Sequence, residues 1–408
     1  DPVDPVDPVD PVDPVDPVDP VDPVVELQPY NLQPVGSRAA LQQRMAAGRS
    51  ALANGQLDSQ LRLGAPQLSV EMPVADGGAT GAPTAPGAPE ADQSRTNVQV
   101  AGVDEADIIK SSGDQLYVAE FEYSYEVMPA TGGDDLASGM PMPPPPAVKA
   151  QIARYLLDYR DGSHSALPPL TLEAEDLTSL HGLKLHLSGG EQPRLAVIGE
   201  ANSWGWMSWF GGSYQQANPE TRLWLYDVSN VGQIPAPEQI RFDGELIASR
   251  RIGDQLYLIS RYYPGSSYAE LLPQWQFNGS SSAMVEANDC YVAAASAQDY
   301  PALTVITRVD LTAPEQPQSR CYAGDAYTLY MSADALYLAS VRSNAAFNWD
   351  APVALEQPLA SGDASAAVVD ALEQGVAPLE TLIHKFALTD SGIEYRASGL
   401  VAGGFTGW

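Results

Sequence analysis

GDQLYVAE at residues 113–120 returns as GDQLYLIS at residues 253–260 and again as ADALYLAS at residues 333–340. Each copy follows another short run in which apolar and polar residues alternate, and a Gly-Asp or Ala-Asp pair separates the two runs. Alternation with a period of two is typical of a β-strand, and Gly-Asp between two such runs is typical of a hairpin turn. The octapeptide is therefore predicted to form the second strand of a recurring β-hairpin.

The hairpin is half of a larger repeat. A degenerate fourth copy, GLKLHLSGGEQPRLAVIGE, begins at Gly182, and two more strand-like runs follow the hairpins, as in LWLYDVS at residues 223–229. The repeats start near Asp107, Gly182, Glu245 and Ala326. Four-stranded modules that recur without a helical period between them indicate a β-propeller. We predict an all-β fold, a propeller of four-stranded antiparallel blades with about four blades visible.

The carboxyl end predicts an incomplete ring. SGLVAGGFTGW at residues 398–408 finishes one outer strand and then begins, near Gly404, what resembles the first strand of a fifth blade. A propeller closes its ring or leaves sheet edges exposed. We expect either further blades of a longer polypeptide or another chain to complete it.

The amino-terminal part divides into two segments before the propeller. Residues 1–36 begin with eight copies of Asp-Pro-Val, whose prolines favour polyproline II, so they predict a stalk and linker about 75 Å long at about 3.1 Å per residue. Residues 37–96 combine a short helix, predicted at 37–52 after a serine start signal, with a Gly/Ala/Pro linker. The propeller is assigned to residues 97–408.

The stalk has two interpretations. Polyproline II has three residues per turn, so all eight aspartates lie on one face, which could bind calcium or a partner. The simpler interpretation is a tether that holds the propeller away from a surface.

Composition excludes some classes of partner. Lysine plus arginine number 21 against 52 aspartate plus glutamate, for a net charge of -31, which argues against binding nucleic acid. The sequence contains no run of eighteen apolar residues, so we expect no transmembrane helix. The chain begins at Asp1 without methionine, from which we expect that a leader has been removed.

TNVQVAGVDEADIIKSSGDQLYV at residues 96–118 resembles the entry motif of a family of bacterial and archaeal secreted proteins with a β-propeller domain distantly related to WD repeats. The resemblance continues through LWLYDVS, RRIGDQLYLISRYY, NDCYV around Cys290 and SGLVAGGF, and it covers roughly residue 97 to the end. It implies an exported propeller, and it carries over no catalytic residue.

Cys290 and Cys321 are the only cysteines. An even pair in an apparently exported chain predicts a disulfide, which would pin a long insertion to its blade. A buried free pair and metal ligation are the alternatives, although zinc is disfavoured because no histidine is near.

Signals for catalysis are sparse. The four histidines are interpreted as structural or surface residues, and the known nucleophile, phosphate and calcium motifs are absent from the sequence. The best metal or acid-base candidate is the carboxylate cluster of Asp104, Glu105 and Asp107, because three acids so close raise one another's pKa unless a cation lies between them. The alternative is a turn that latches the first blade by hydrogen bonds. Calcium is the one cofactor considered.

Long insertions at one point of each blade are the best candidates for binding. Each follows the second strand, and equivalent positions in a repeat emerge on the same side of the disc, which is often the binding side. Aromatic residues in or beside these insertions would stack on sugars, bind a partner or enter a membrane interface. Alternatively, they would pack together as a lid over the channel mouth. The candidate binding residues are Trp204, Trp206, Trp209, Phe210, Tyr262, Tyr263, Trp275 and Trp349.

We therefore predict a non-catalytic propeller, tethered by its stalk, that binds or scaffolds a protein or a carbohydrate at the cell surface. The expected location is extracellular, at the cell surface or periplasmic, and the stalk is a candidate tether to a membrane. Homo- or hetero-assembly is left open. The alternative is a hydrolase or lyase in the channel mouth that uses acidic residues and calcium. Two convergent carboxylates in a deep pocket would favour the enzyme, and a flat aromatic face would favour binding.

Overall fold

The computed structural model describes residues 31–53, 98, 100–124, 147–172, 180–190, 192–201, 219–265, 270–294, 301–343 and 379–402. The Asp-Pro-Val repeats, the Gly/Ala/Pro linker and the strand predicted near Gly404 lie outside these residues.

The described chain begins with strand β1 (Leu32–Pro34), helix α1 (Arg38–Ala53) and the short strand β2 (Asp104–Glu105). Four blades follow in chain order, and each contains four antiparallel strands. Blade 1 contains β3 (Ile109–Ser112), β4 (Gln115–Ser124), β5 (Ala147–Asp158) and β6 (Ser163–Thr171), and blade 2 contains β7 (Leu180–Leu187), β8 (Arg194–Ala201), β9 (Glu220–Asp227) and β10 (Glu238–Asp243).

Blade 3 carries structured inserted elements within its sequence. It starts with β11 (Glu245–Ile252) and β12 (Gln255–Tyr262), and the insertion then supplies β13 (Gln274–Phe277), β14 (Ser280–Ala283), a 3-10 turn (Ala287–Asp289) and β15 (Cys290–Ala293). The blade resumes with β16 (Leu303–Asp310) and β17 (Gln318–Ala323), and blade 4 contains β18 (Thr328–Met331), β19 (Ala335–Ser343), β20 (Leu379–Thr389) and β21 (Gly392–Ala402). These starts agree with the predicted repeats, so the β-propeller of four-stranded antiparallel blades is confirmed.

The repeated octapeptide packs on both neighbouring blades. In blade 3, Leu256 and Leu258 belong to the apolar core shared with blade 2, whereas Tyr257 and Ile259 belong to the core shared with blade 4. In blade 4, Leu336 and Leu338 face blade 3 in the same way. Successive strand residues point to opposite faces. One alternating octapeptide therefore serves two inter-blade cores at once.

Consecutive blades are joined by three such cores, which lie between blades 1 and 2, 2 and 3, and 3 and 4. Trp224, which is 2% exposed, is the largest side chain of the first core. Among the described residues, no strand of blade 4 packs extensively on a strand of blade 1. The described blades therefore form an open series with one free face at each end.

Residues 31–53, which precede the predicted propeller, pack against it. The predicted helix is confirmed as α1. It begins at the predicted serine: the Ser37 hydroxyl accepts a hydrogen bond from the Ala40 amide and so caps the helix. Leu41 and Met45 of α1 are fully buried in the core between blades 2 and 3, and β1 pairs with β15. The apolar face of the helix thus brings residues 31–53 into the folded body.

The blade 3 insertion lies along the outer edges of two blades. The β13–β14 hairpin pairs with β10 and extends blade 2, while β15 runs parallel to β17 and extends blade 3. Cys290 of β15 and Cys321 of β17 are register partners and form a disulfide. The predicted disulfide is therefore present, and it pins the insertion to its own blade.

Replacing both cysteines with serine should lower the free energy of unfolding by about 3.5 to 4 kcal/mol on the chain-entropy model. The reason is that the bond closes a loop with a sequence separation of 31, which restricts the unfolded chain. Urea denaturation of the C290S/C321S variant and of the oxidised protein measures the difference. The oxidised protein unfolded in a reductant should match the variant, and a reductant without effect would contradict the expectation.

Candidate functional site

The carboxylate of Asp104 lies where three blades meet. Its Oδ1 accepts a hydrogen bond from Lys110 Nζ at 2.7 Å, and its Oδ2 lies 3.0 Å from His186 Nδ1 and 3.3 Å from Arg251 Nε. Ser249 Oγ is 2.9 Å from His186 Nε2. We call these five residues the hub. They come from β2, β3 of blade 1, β7 of blade 2 and β11 of blade 3.

The local sequence explains how the chain reaches this position. β2 pairs with β11, so that Asp104 lies opposite Arg251 and Glu105 lies opposite Arg250. Two residues later, Asp107 forms a bridge with Leu185 of β7. The extended segment therefore runs from blade 3 past blade 2 before it enters blade 1.

The three predicted acidic residues have separate partners within the protein. Asp104 is bound by the cations of the hub, Glu105 lies 3.3 Å from Arg250, and Asp107 accepts a hydrogen bond from the Ile108 amide. Among the described residues, no group of three or more histidine, cysteine, aspartate or glutamate side chains is arranged to hold a metal ion. The geometry corresponds to the alternative interpretation, a hydrogen-bonded latch.

The cations set the protonation state of the hub. Burial alone would raise the pKa of Asp104, but the hydrogen bonds from His186 and Lys110 outweigh burial and hold the pKa far below its usual value of 3.8. Burial lowers the pKa of His186 below its usual value of 6.5, against the opposing effect of Asp104. At neutral pH the carboxylate is therefore ionised and the imidazole is neutral.

These protonation states fix the direction of the hydrogen bonds. A carboxylate only accepts, so Nδ1 of His186 carries the proton and donates it to Asp104. Nε2 then accepts a hydrogen bond from the Ser249 hydroxyl. Serine, histidine and aspartate connect in the same way in hydrolase triads.

Burial distinguishes the hub from a hydrolase site. Ser249 is 2% exposed and His186 is 0% exposed, so a substrate cannot reach the hydroxyl in this structure. A nucleophile must lie within contact distance of the substrate carbon that it attacks. The hydrogen-bonded chain therefore holds the blades together rather than presenting a reactive group.

Two of the predicted aromatic binding residues are part of the core. Tyr262 is 0% exposed and its hydroxyl donates to the Glu270 carbonyl oxygen, while Trp275 is 8% exposed and stacks on Phe242. Their burial corrects the prediction for these two positions. Tyr262 ends β12 within the core between blades 2 and 3, and the hairpin that carries Trp275 pairs with β10 of blade 2 instead of projecting away from it. Tyr263 is 37% exposed. The remaining candidates lie outside the described residues: Trp204, Trp206, Trp209, Phe210 and Trp349.

The insertion points agree with the prediction. In each blade, the longest break in the sequence falls between the second and third strands: between β4 and β5, β8 and β9, β12 and β16, and β19 and β20. These positions are topologically equivalent, so the four segments leave the blades at the same end of the second strand.

A groove of about 320 Å³ lies beside the disulfide and was not predicted. Its polar lining includes Glu286, Gln318 and Ser391, together with Asp289 and Arg320, whose carboxylate and guanidinium are 2.9 Å apart. Asp289 precedes Cys290 and Arg320 precedes Cys321, so the predicted disulfide brings these two charged residues close together. It is the sequence feature from which this ion pair could have been predicted.

A family model described as a beta propeller domain matches residues 93–406. No curated protein and no solved structure matches the chain. Within the part of the chain that the structure describes, no helix has the length and apolarity needed to span a bilayer.

The variant Asp104→Asn should destabilise the protein by roughly 3 to 5 kcal/mol, because it leaves buried cations without a counter-charge. Lys110 is 3% exposed and Arg251 is 7% exposed, so water cannot replace the carboxylate. Thermal and urea denaturation measure the change. The matched control is Asp254→Asn in the exposed turn of blade 3, which should change stability little. Equal effects of the two variants would contradict a structural role for the hub.

Stability should also fall as the pH drops below 6.5. The pKa of His186 is lower in the folded protein than its usual 6.5, so the unfolded chain binds more protons in that window. The stabilisation is complete above 6.5 and is lost as the pH falls through the folded value. His186→Gln should flatten this part of the pH profile, whereas His164→Gln, at an exposed position of β6, should leave it unchanged. A profile that is flat in the original protein would refute the expectation.

Proposed function

Because the chain belongs to the beta propeller domain family, we propose that it works as an exported, surface-tethered propeller. It binds or scaffolds a partner through aromatic-rich insertions on one face of the disc. The observation that carries the proposal is the shared insertion point between the second and third strands of all four blades.

The blades supply a rigid base for these insertions. Each consecutive pair of blades shares an apolar core, and the hub fixes the inner strands of three blades to one carboxylate. When binding segments are attached to a rigid scaffold, the scaffold itself loses little conformational entropy on binding. The spacing between the four insertions is thereby set before the partner arrives.

Tryptophan and tyrosine side chains are the groups expected to make the contacts. Aromatic rings combine a large apolar surface with few rotatable bonds, and they stack on sugar rings or fill pockets of a protein. Trp204, Trp206, Trp209, Phe210 and Trp349 belong to the insertions by sequence, and Tyr263 lies at the start of another.

Charge selects among partners. A net charge of -31 repels polyanions, so the favoured partner is a neutral polysaccharide or a protein without an acidic surface. The disulfide between Cys290 and Cys321 supports an oxidising compartment such as the cell surface or the periplasm. In this proposal the Asp-Pro-Val repeats hold the disc away from its anchor.

The hydrolase or lyase alternative receives less support. Asp104 and Glu105, its candidate acidic residues, are bound by Lys110, Arg251 and Arg250, and the only serine of the hub is buried. Carboxylates that are paired with lysine and arginine side chains in this way are poorly placed to transfer a proton to a substrate.

The test compares two variants at three positions. Replacing Trp204, Trp206 and Trp209 together with alanine should abolish binding of the purified chain to immobilised cell-surface polysaccharide or to the surface protein fraction. Replacing the same residues with phenylalanine keeps aromatic rings and should retain most of the binding. Equal binding by the alanine variant, or no binding by the original protein to either material, would overturn the proposal.

A further inference from the structure

The groove beside the disulfide is lined by the outer strand of blade 3 and by two neighbouring segments. These are residues 283–286, which follow β14, and the turn between β20 and β21 of blade 4, which contributes Ser391. Met284, Val285 and Ile393 are 5%, 4% and 2% exposed and give the lining a buried apolar part. The groove therefore combines polar side chains with an apolar base, and neither Tyr262 nor Trp275 lines it.

Strand β17 directs one backbone amide toward the outer side of its sheet. At the end of the β16–β17 ladder the Gly324 amide donates to the Ala302 carbonyl oxygen, so the even-numbered residues of β17 form their hydrogen bonds with β16. The amide and carbonyl groups of Ser319 and Cys321 consequently point away from β16. In agreement, the Ser319 carbonyl oxygen accepts a hydrogen bond at 3.0 Å from the guanidinium of Arg320.

Within the part of the chain that the structure describes, no strand covers this amide. β15 pairs with β17 only at Cys321 and Tyr322, because the 3-10 turn before β15 interrupts the ladder ahead of Ser319. Ser319 is 7% exposed and lines the groove. A buried amide requires an acceptor, and an extended peptide that adds to a sheet edge supplies one. The open edge is short, so it suits a segment of a few residues.

The charged groups of the lining favour a basic segment. Two carboxylates, those of Glu286 and Asp289, line the groove together with one guanidinium, that of Arg320. Asp289 is paired with Arg320 at 2.9 Å, whereas Glu286 lies at an exposed position. The net charge of -31 also repels acidic peptides as they approach the protein. A lysine or arginine side chain in the groove would therefore find its counter-charge in Glu286.

We propose that this groove binds an extended, lysine- or arginine-containing peptide segment of a partner protein as a short added strand. A peptide carbonyl oxygen accepts from the Ser319 amide, and a peptide amide donates to the second lone pair of the Ser319 carbonyl oxygen. A basic side chain of the segment pairs with Glu286. The fold already uses this mode of pairing, since β15 and β1 extend the same sheet beyond β17. The site does not depend on aromatic contacts, so this proposal and the proposed function can fail separately.

Amide chemical shifts of the 408-residue chain test the contact directly. The probe is a blocked pentapeptide of alternating valine and lysine, which is titrated into isotope-labelled protein. We expect the amide resonances of Ser319 and Arg320 to shift with saturation, and the exchange of the Ser319 amide proton with solvent to slow. Unchanged resonances at these two positions in millimolar peptide would overturn the proposal, and so would shifts confined to other surfaces.

Two substitutions at one position separate the amide from the side chain. Ser319→Pro removes the outward amide without removing a hydrogen bond of the β16–β17 ladder, so it should abolish peptide binding. Ser319→Ala keeps the amide and loses only the hydroxyl that is bonded to Thr307, so it should retain binding. Circular dichroism and the amide spectrum of each variant report on folding. A folded S319P variant that binds as the original protein does would contradict the added strand.

Charge variants test the preference for a basic segment and do not require the proline variant. Glu286→Gln should weaken binding of the lysine peptide by about two- to fivefold, the range expected for an exposed ion pair. Glu315→Gln is the matched control, because Glu315 is exposed in the turn before β17 and does not line the groove. A peptide with glutamate in place of lysine should bind more weakly. Equal binding of the two peptides, or equal effects of E286Q and E315Q, would overturn the assignment of a basic segment.

Discussion

The ion pairs and hydrogen bonds of the Asp104 carboxylate are the contacts on which the rest of the structure depends. Val103, one residue earlier, lies in the core between blades 3 and 4, and Asp104 binds side chains from blades 1, 2 and 3. One short extended segment therefore connects the inner strands of blades 1, 2 and 3 and places a side chain in the core between blades 3 and 4. A buried anion is stable only when cations and donors surround it, so the blades must keep their relative positions for the carboxylate to stay paired.

This use of cations has a consequence for the surface of an acidic protein. The chain has only 21 lysine and arginine residues, and several of them are buried at joints, including Lys110 and Arg251 in the hub and Arg154 between blades 1 and 2. Arg261 is likewise paired with the buried Asp325 where blade 3 meets blade 4. Cations in such positions do not screen the exposed carboxylates. The solvent-facing surface is therefore poorer in positive charge than the composition implies, which favours solubility and repels anionic partners.

Local patterns predicted more of this protein than distant contacts did. The octapeptide hairpins, the start of α1 at Ser37 and the pairing of the two cysteines follow from residues close in sequence or unique in type. The hub did not follow, because His186 and Arg251 are 82 and 147 positions from Asp104 and only the folded propeller brings them together. The packing of Trp275 and α1 was not predicted for a related reason. The pattern of a hairpin or of an amphipathic helix indicates that one face is buried, but it does not indicate which blade covers that face.

The attachment of β1 determines how the disc would respond to a pull on its amino-terminal end. β1 is held by backbone pairing with β15, and the Leu32 amide also donates to the Tyr395 hydroxyl of blade 4. β15 is joined to β17 by two register pairs and by the disulfide. Tension entering at residue 31 would reach blade 3 through a covalent cross-link, so hydrogen bonds between β1 and β15 would break before the insertion is torn from its blade. The mechanical weak point is therefore a three-residue strand that can re-pair when the force is released.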